Sequence, residues 1–233
     1  MAFGNVNYTA LEPPSIFYGE NVRNKCLWFD DFTSNEGSTT WSRSDRGTNN
    51  DDEFGTQVSN ASYIGGWYGL GSGNTTDNLG VQVQAKSFVV TPREGKEIYF
   101  ESQFQLNGDL KADYFIGLAD TDTSLNGDGA LTAKSLGFAK FDQLNPVFVT
   151  RKTNETQTAT GLAPVLDTTY RLGIQVIGTT EVNYYLDGVK VATVGAANIP
   201  DGDLSVSFSV MNNASTDANP KLFVDYVYLS TDR

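Results

Sequence analysis

Residues 113–130 read DYFIGLADTDTSLNGDGA. Asp113 to Ala119 form a short, mostly apolar run that ends in a cluster of acids, amides and glycines, the pattern of a strand running into a turn. Asp120, Asp122, Asn126 and Asp128 are spaced like oxygen ligands, and a calcium site needs about six to eight oxygens converging on one point. An EF-hand order begun at Asp120 keeps Asp122. It then places Ser124 and Leu125 where a third ligand and the turn glycine belong, and Leu131 where the bidentate glutamate belongs. Asp, Asn and Gly also dominate ordinary turns, because they tolerate left-handed backbone and bond to their own main chain. The four residues are therefore read as turn chemistry, with a looser cation site as the alternative.

Outward from this stretch the period-2 signal recurs. In KEIYFESQFQL, Ile98, Phe100, Phe104 and Leu106 share one face, and Tyr99, Glu101, Gln103 and Gln105 the other. TYRLGIQVIG sets Leu172, Ile174 and Val176 against Arg171 and Gln175, and LSVSFSVM alternates apolar residues with serines. Such alternation predicts antiparallel strands with one buried and one wet face. In VNYYLDGVKVATV, Asp187-Gly188 between two apolar runs predicts a two-residue hairpin turn. Further strands are expected in CLWFDDF, GGWYGLG, LGVQVQAKSFVV, SLGFAKF, PVFVTRK and KLFVDYVYLS. About a dozen strands without crossover helices argue for a two-sheet antiparallel sandwich, all-β in class.

The chain divides into residues 1–20, an extended arm, and residues 21–233, the sandwich. The arm carries Phe3, Tyr8, Leu11, Ile16 and Phe17 around a Pro13-Pro14 pair that holds it extended. That is too much apolar surface for a solvating tail, so the arm is expected to dock, either along its own domain or against a partner. With 28 acidic against 16 basic residues and a formal charge of −12, nucleic acid and anionic membrane surfaces are poor partners. No stretch has the roughly 20 apolar residues of a membrane span. The single cysteine, Cys26, excludes an intrachain disulfide, and the first residues lack the pattern of a signal peptide. Synthesis and folding in a reducing cytoplasm are expected.

The chain has no histidine, which removes histidine bases, Ser-His-Asp triads and most zinc sites. Nucleotide-binding glycine loops are missing. Carboxylates remain. Glu97 and Glu101 share a strand face but stand roughly 13 Å apart at about 3.3 Å per residue, too far for a glycosidase pair. Asp30 and Asp31 are adjacent and point to opposite faces. The chain is therefore expected not to be an enzyme and to need no cofactor. Trp67 and Tyr68 are consecutive, so one of them is expected to face away from the core. Tyr185 stands to Tyr184 in the same way. Exposed rings of this kind serve sugar stacking or an interface equally well.

DYFIGLADTDTSL, SLGFAKF, YRLGIQV…VNYYLDGVKVATV and LFVDYVYLSTDR, in that order and with FDDF and YFESQFQL upstream, resemble the concanavalin A-like lectin/glucanase jelly roll. They look most like the version carried by structural proteins of tailed bacteriophages. The resemblance spans most of residues 26–233 and implies two packed, curved antiparallel sheets. Glucanases of this fold carry an E-x-D-x-E type motif. The most similar strand here, Glu101-Ser102-Gln103-Phe104-Gln105, keeps only the first acid. The resemblance implies a virion subunit, a decoration or cement protein on the capsid surface, bound to the major capsid protein as an oligomer such as a trimer. Attachment to host-surface glycans is the alternative role.

Overall fold

The structure, a computed structural model, describes residues 25–32, 40–46, 51–54, 66–72, 78–108, 110–122, 124–127, 130–141, 145–212 and 220–233. The arm residues Phe3, Tyr8, Leu11, Pro13, Pro14, Ile16 and Phe17 lie outside the described residues, as does Asp128.

The fold is all-β, built on two antiparallel sheets. Sheet A runs β15 (Val189–Gly195), β14 (Glu181–Leu186), β13 (Thr169–Ile177), β6 (Glu97–Asn107), β17 (Lys221–Asp232), β4 (Tyr68–Gly71) and β3 (Asp51–Phe54), with β1 (Lys25–Asp30) also pairing with β17. Sheet B runs β12 (Glu155–Ala159), β11 (Val147–Arg151), β10 (Ser135–Lys140), β7 (Asp113–Ala119), β16 (Leu204–Met211), β5 (Gly80–Val90) and β2 (Trp41–Arg46). The core lies between them, where Phe100, Phe104, Leu172 and Ile174 of sheet A meet Ile116, Phe138, Phe148 and Phe208 of sheet B. Removing such apolar surface from water is the main favourable contribution to folding. Asp187 (φ 51°) and Gly188 (φ 80°) form the turn between β14 and β15, the two positive angles that the Asp-Gly pair predicts.

Two expectations about exposure are corrected. The serine face of β16 is not wet, because Ser205, Ser207 and Ser209 are all buried. The loop after β7 folds back over that face and encloses a second apolar cluster of Phe115, Leu125, Leu131, Ala139, Phe141 and Val149. Trp67 and Tyr68 do not divide between core and solvent, since both are buried, at 8% and 0% exposure. Tyr68 opens β4 and points into the core beside Phe32 and Trp41. Trp67 precedes the strand, so strand alternation does not govern it.

The loop after β7 is pinned by two glutamines of β5. Gln84 accepts from the Asp122 N–H at 2.9 Å and donates to the Asp120 carbonyl at 2.9 Å. Gln82 accepts from the Leu125 N–H at 2.7 Å and donates to the Asp122 carbonyl. Buried main-chain groups that leave a ladder need partners of this kind. The Asp122 carboxylate accepts from the N–H and the hydroxyl of Ser124 at 2.7 and 3.1 Å. A two-residue ladder, β8 (Asn126–Gly127) with β9 (Ala130–Leu131), completes the loop. Among the described residues, no three acidic or cysteine side chains gather in a way that would hold a metal ion. Asp120 faces Lys134, Asp201 and Asp203. Burial raises its carboxyl above the usual range against the pull of Lys134, and the neighbouring acids raise it further.

Candidate functional site

The face of sheet A turned away from the core carries the densest polar chemistry. Alternation along β6 sends Ile98, Phe100 and Phe104 inward and Glu97, Tyr99, Glu101 and Gln103 outward. Strands β13 and β17 flank β6, placing Gly173 and Tyr228 opposite Glu101, and Arg171 and Tyr226 opposite Gln103. A bulge between Val224 and Tyr226 shifts the β17 register and leaves Asp225 beside Gln103.

Glu101 is the hub. Its carboxylate accepts from the Tyr99 hydroxyl at 2.6 Å and from the Tyr226 hydroxyl at 2.5 Å, with the Arg171 guanidinium at 3.9 Å. The Glu101 and Arg171 side chains are 13% and 6% exposed, so this is a largely desolvated group. Burial, and then the Glu101 charge, hold both tyrosine hydroxyls far above their ordinary pKa, so they stay protonated donors. Gly173 leaves room beside the Tyr99 hydroxyl, from which a Cβ there would stand a tight 3.2 Å. The Asp187-Gly188 turn lies over Arg171, and Asp187 accepts from the Arg171 N–H at 2.8 Å.

Asp225 accepts from Gln103 at 2.8 Å. Burial, with the nearby Asp31 charge, pushes its carboxyl up to about 6. The face therefore holds two carboxyls in different surroundings. Glu101 is bonded by hydroxyls and a cation, whereas Asp225 sits where the neutral acid persists into mildly acidic water. On β1, at the side of this face, Phe29 is 57% exposed with its ring 6.1 Å from Tyr226, and Leu27 is 48% exposed.

A second polar knot adjoins the first. Gln175 donates to Glu97 at 2.5 Å, and the Tyr185 hydroxyl donates to Gln175 at 3.0 Å. Lys25 reaches Glu97 at 3.5 Å and Asp232 at 3.3 Å. Tyr185 thus lies half-buried on the outward face, with its hydroxyl engaged. The expected site residues do not converge, because Trp67 and Tyr68 are in the interior and Asp120 and Asp122 are on the sheet B loop. Asp225, Tyr226, Arg171 and Phe29 were not picked out from sequence. The signal for Phe29 was available, since alternation in KCLWFD puts Leu27 and Phe29 on one face.

No protein-family description and no curated protein matches the chain. Solved structures do. A β-glucanase of Bacillus licheniformis superposes with a TM-score of 0.61 at 10% identity, over 87% of this chain and 97% of that one. An endo-1,3-β-glucanase of Streptomyces sioyaensis gives 0.58 at 14% identity, over 91% and 98%. Arcelin-5, a lectin-like defence protein of Phaseolus vulgaris, gives 0.58 at 10% identity, over 90% and 100%. At these identities the likeness shows the fold, a concanavalin A-like lectin/glucanase jelly roll. The expectation of a non-enzymatic chain is corrected, because the similar structures are mainly glucanases, other glycoside hydrolases and a lyase. That expectation rested on the lack of histidine and on the separation of Glu97 and Glu101 along one strand. Asp225, on the strand next to that of Glu101, is a further carboxyl on this face.

Proposed function

We propose that this jelly roll is a carbohydrate-engaging subunit of a bacteriophage virion, mounted on the outside of the head as a decoration protein. The observation that carries the carbohydrate part is the Glu101–Asp225 face. Carboxyls and tyrosine hydroxyls suit sugar hydroxyl groups, and the exposed Phe29 ring beside them suits a sugar's apolar face. Asp225 stands on the strand next to Glu101, beside Gln103 and three residues along β17 from Tyr228, the residue opposite Glu101. Binding to host-surface polysaccharide, and bond cleavage by this pair, are the activities to measure. Because Asp225 serves as an acid only while protonated, turnover is expected at pH 5 and to fall as pH rises through about 6. A panel of β-glucans and bacterial surface polysaccharides with no binding and no reducing-end release at pH 5 would sink this part.

The virion part is supported by the order of the jelly-roll motifs, which resembles tailed-phage structural proteins, and by the apolar arm at residues 1–20. In this reading the arm buries Phe3, Tyr8, Leu11 and Phe17 against the major capsid protein. Each buried side chain of this size contributes roughly 1.5–3 kcal/mol before ordering costs. An oligomer such as a trimer multiplies the effect through avidity. Deleting residues 1–20 is expected to leave a folded domain that no longer decorates heads, measured as copies per purified particle. Full occupancy by the truncated chain would remove the arm from the proposal.

A further inference from the structure

Where the Glu101 face borders β1, it is built from cross-strand rows of β1 and β17. Leu27 stands opposite Ser230 and Phe29 opposite Tyr228, and beyond the end of β1 the charge of Asp31 reaches Asp225. Leu27 and Phe29 are both exposed, an apolar strip on an otherwise polar face. Three observations bear on what this strip binds. Asp225 accepts from Gln103 at 2.8 Å, and among the described residues no cation faces it, so burial and the Asp31 charge both act to raise its carboxyl. The nearby cations are committed elsewhere, Arg171 to Glu101 and Lys25 to Glu97 and Asp232. Ser230 is 1% exposed on the outward side, in the row of Leu27 and Tyr99, and its Oγ has no hydrogen-bond partner. A half-buried carboxyl without a counter-charge and a buried hydroxyl without a partner both cost stability, and both are completed by a ligand that brings a cation and hydroxyl groups.

We infer that the carbohydrate face takes a glycan with free amino groups, its ammonium beside Asp225 and Asp31 and its ring face on Phe29. The inference rests on the reading of this face as a carbohydrate site. The ammonium supplies the counter-charge missing at Asp225. Beside the Phe29 and Tyr226 rings, 6.1 Å apart, it is also drawn to their negative faces. Sugar hydroxyls farther along the strip serve Ser230. An anionic glycan meets the opposite, like charge at Asp225, Asp31 and Glu101 with Arg171 and Lys25 already paired.

The test is isothermal titration calorimetry on the full chain at pH 6, with chitosan hexamer, its fully N-acetylated counterpart and oligogalacturonate of the same length. The chitosan hexamer is expected to bind at least tenfold tighter than the acetylated form, and galacturonate not to bind. Because the chain carries a formal charge of −12, any polycation is drawn to it, so charge-matched variants locate the effect. Asp225→Asn and Asp31→Asn are each expected to cut the preference for chitosan at least threefold. Asp31 is exposed, so its variant reads binding without a cost in folding. Asp201→Asn, the same charge change beside Lys134 and Lys152, should leave the preference unchanged. Equal affinity for the two forms, or a preference that falls as far in Asp201→Asn as in Asp225→Asn, would overturn the amine assignment while the carbohydrate reading stands. Tighter binding of galacturonate would do the same. Failure of all three oligomers to bind would remove both.

Discussion

Glu101→Ala is expected to lower the unfolding free energy by about 3 kcal/mol, whereas Glu101→Gln should cost about 1 kcal/mol and still remove carbohydrate engagement. The alanine variant leaves the Arg171 guanidinium desolvated with no facing anion, and it takes the acceptor from the hydroxyls of buried Tyr99 and half-buried Tyr226. Breaking one side of a buried ion pair typically costs about 3–5 kcal/mol. The lower end applies here, because 3.9 Å is long for the pair and Glu101 keeps some solvent. Glutamine loses the charge as well, but its carbonyl fills the same space, still accepts from one tyrosine and turns a dipole toward Arg171, which offsets most of the loss. For a chain of this length the alanine variant should melt about 6–12 °C below the parent. Thermal unfolding followed by circular dichroism reads the structural part, and polysaccharide pull-down of the folded Gln variant reads the functional part. An alanine variant melting within 2 °C of the parent would show that Glu101 does not hold this face together. A Gln variant that binds polysaccharide like the parent would move the carbohydrate site elsewhere.

Part of this face was legible from the sequence and part was not. Alternation in EIYFESQFQL correctly sets Glu97, Tyr99, Glu101 and Gln103 on one side of β6, since side-chain direction is a local property. Tyr226 lies 125 residues from Glu101 and meets it only because β17 is the neighbour of β6. The bulge at Val224/Tyr226 then decides which β17 side chain stands at that height. Neither strand order nor a bulge leaves a local period to read. The serines of β16 make the complementary case. Their alternation is real, but direction does not tell what lies above a face, and here it is the loop held by Gln82 and Gln84. In DYFIGLADTDTSLNGDGA the strand was readable. The loop's role as the cover over Phe115 depended on glutamines about 40 residues earlier in the chain.

Under that cover, Gly137→Ala is expected to destabilise the protein by about 2–3 kcal/mol, although it adds one methyl group to a strand. Gly137 pairs with Gly117 across β10 and β7, and Phe115 of β7 lays its ring over the bare Gly137 position. A Cβ there would stand 2.5 Å from the Ile116 carbonyl oxygen and 2.6 Å from the Phe115 ring, both closer than real Cβ contacts come. Phe115 is fully buried beneath Leu125 and Leu131, so its ring has no empty space to move into. Overpacking a close-packed interior costs about 1–3 kcal/mol, against which the better strand propensity of alanine offers only tenths. The cost should fall on the loop as well, so amide exchange at Leu125, whose N–H is held by Gln82, should quicken with the loss of stability. A double-mutant cycle with Phe115→Leu identifies the cause. If ring contact is the obstacle, the smaller side chain relieves it, and the double variant should be at least about 1 kcal/mol more stable than the sum of the two single changes predicts. Strict additivity would place the strain in the backbone approach to the Ile116 carbonyl instead.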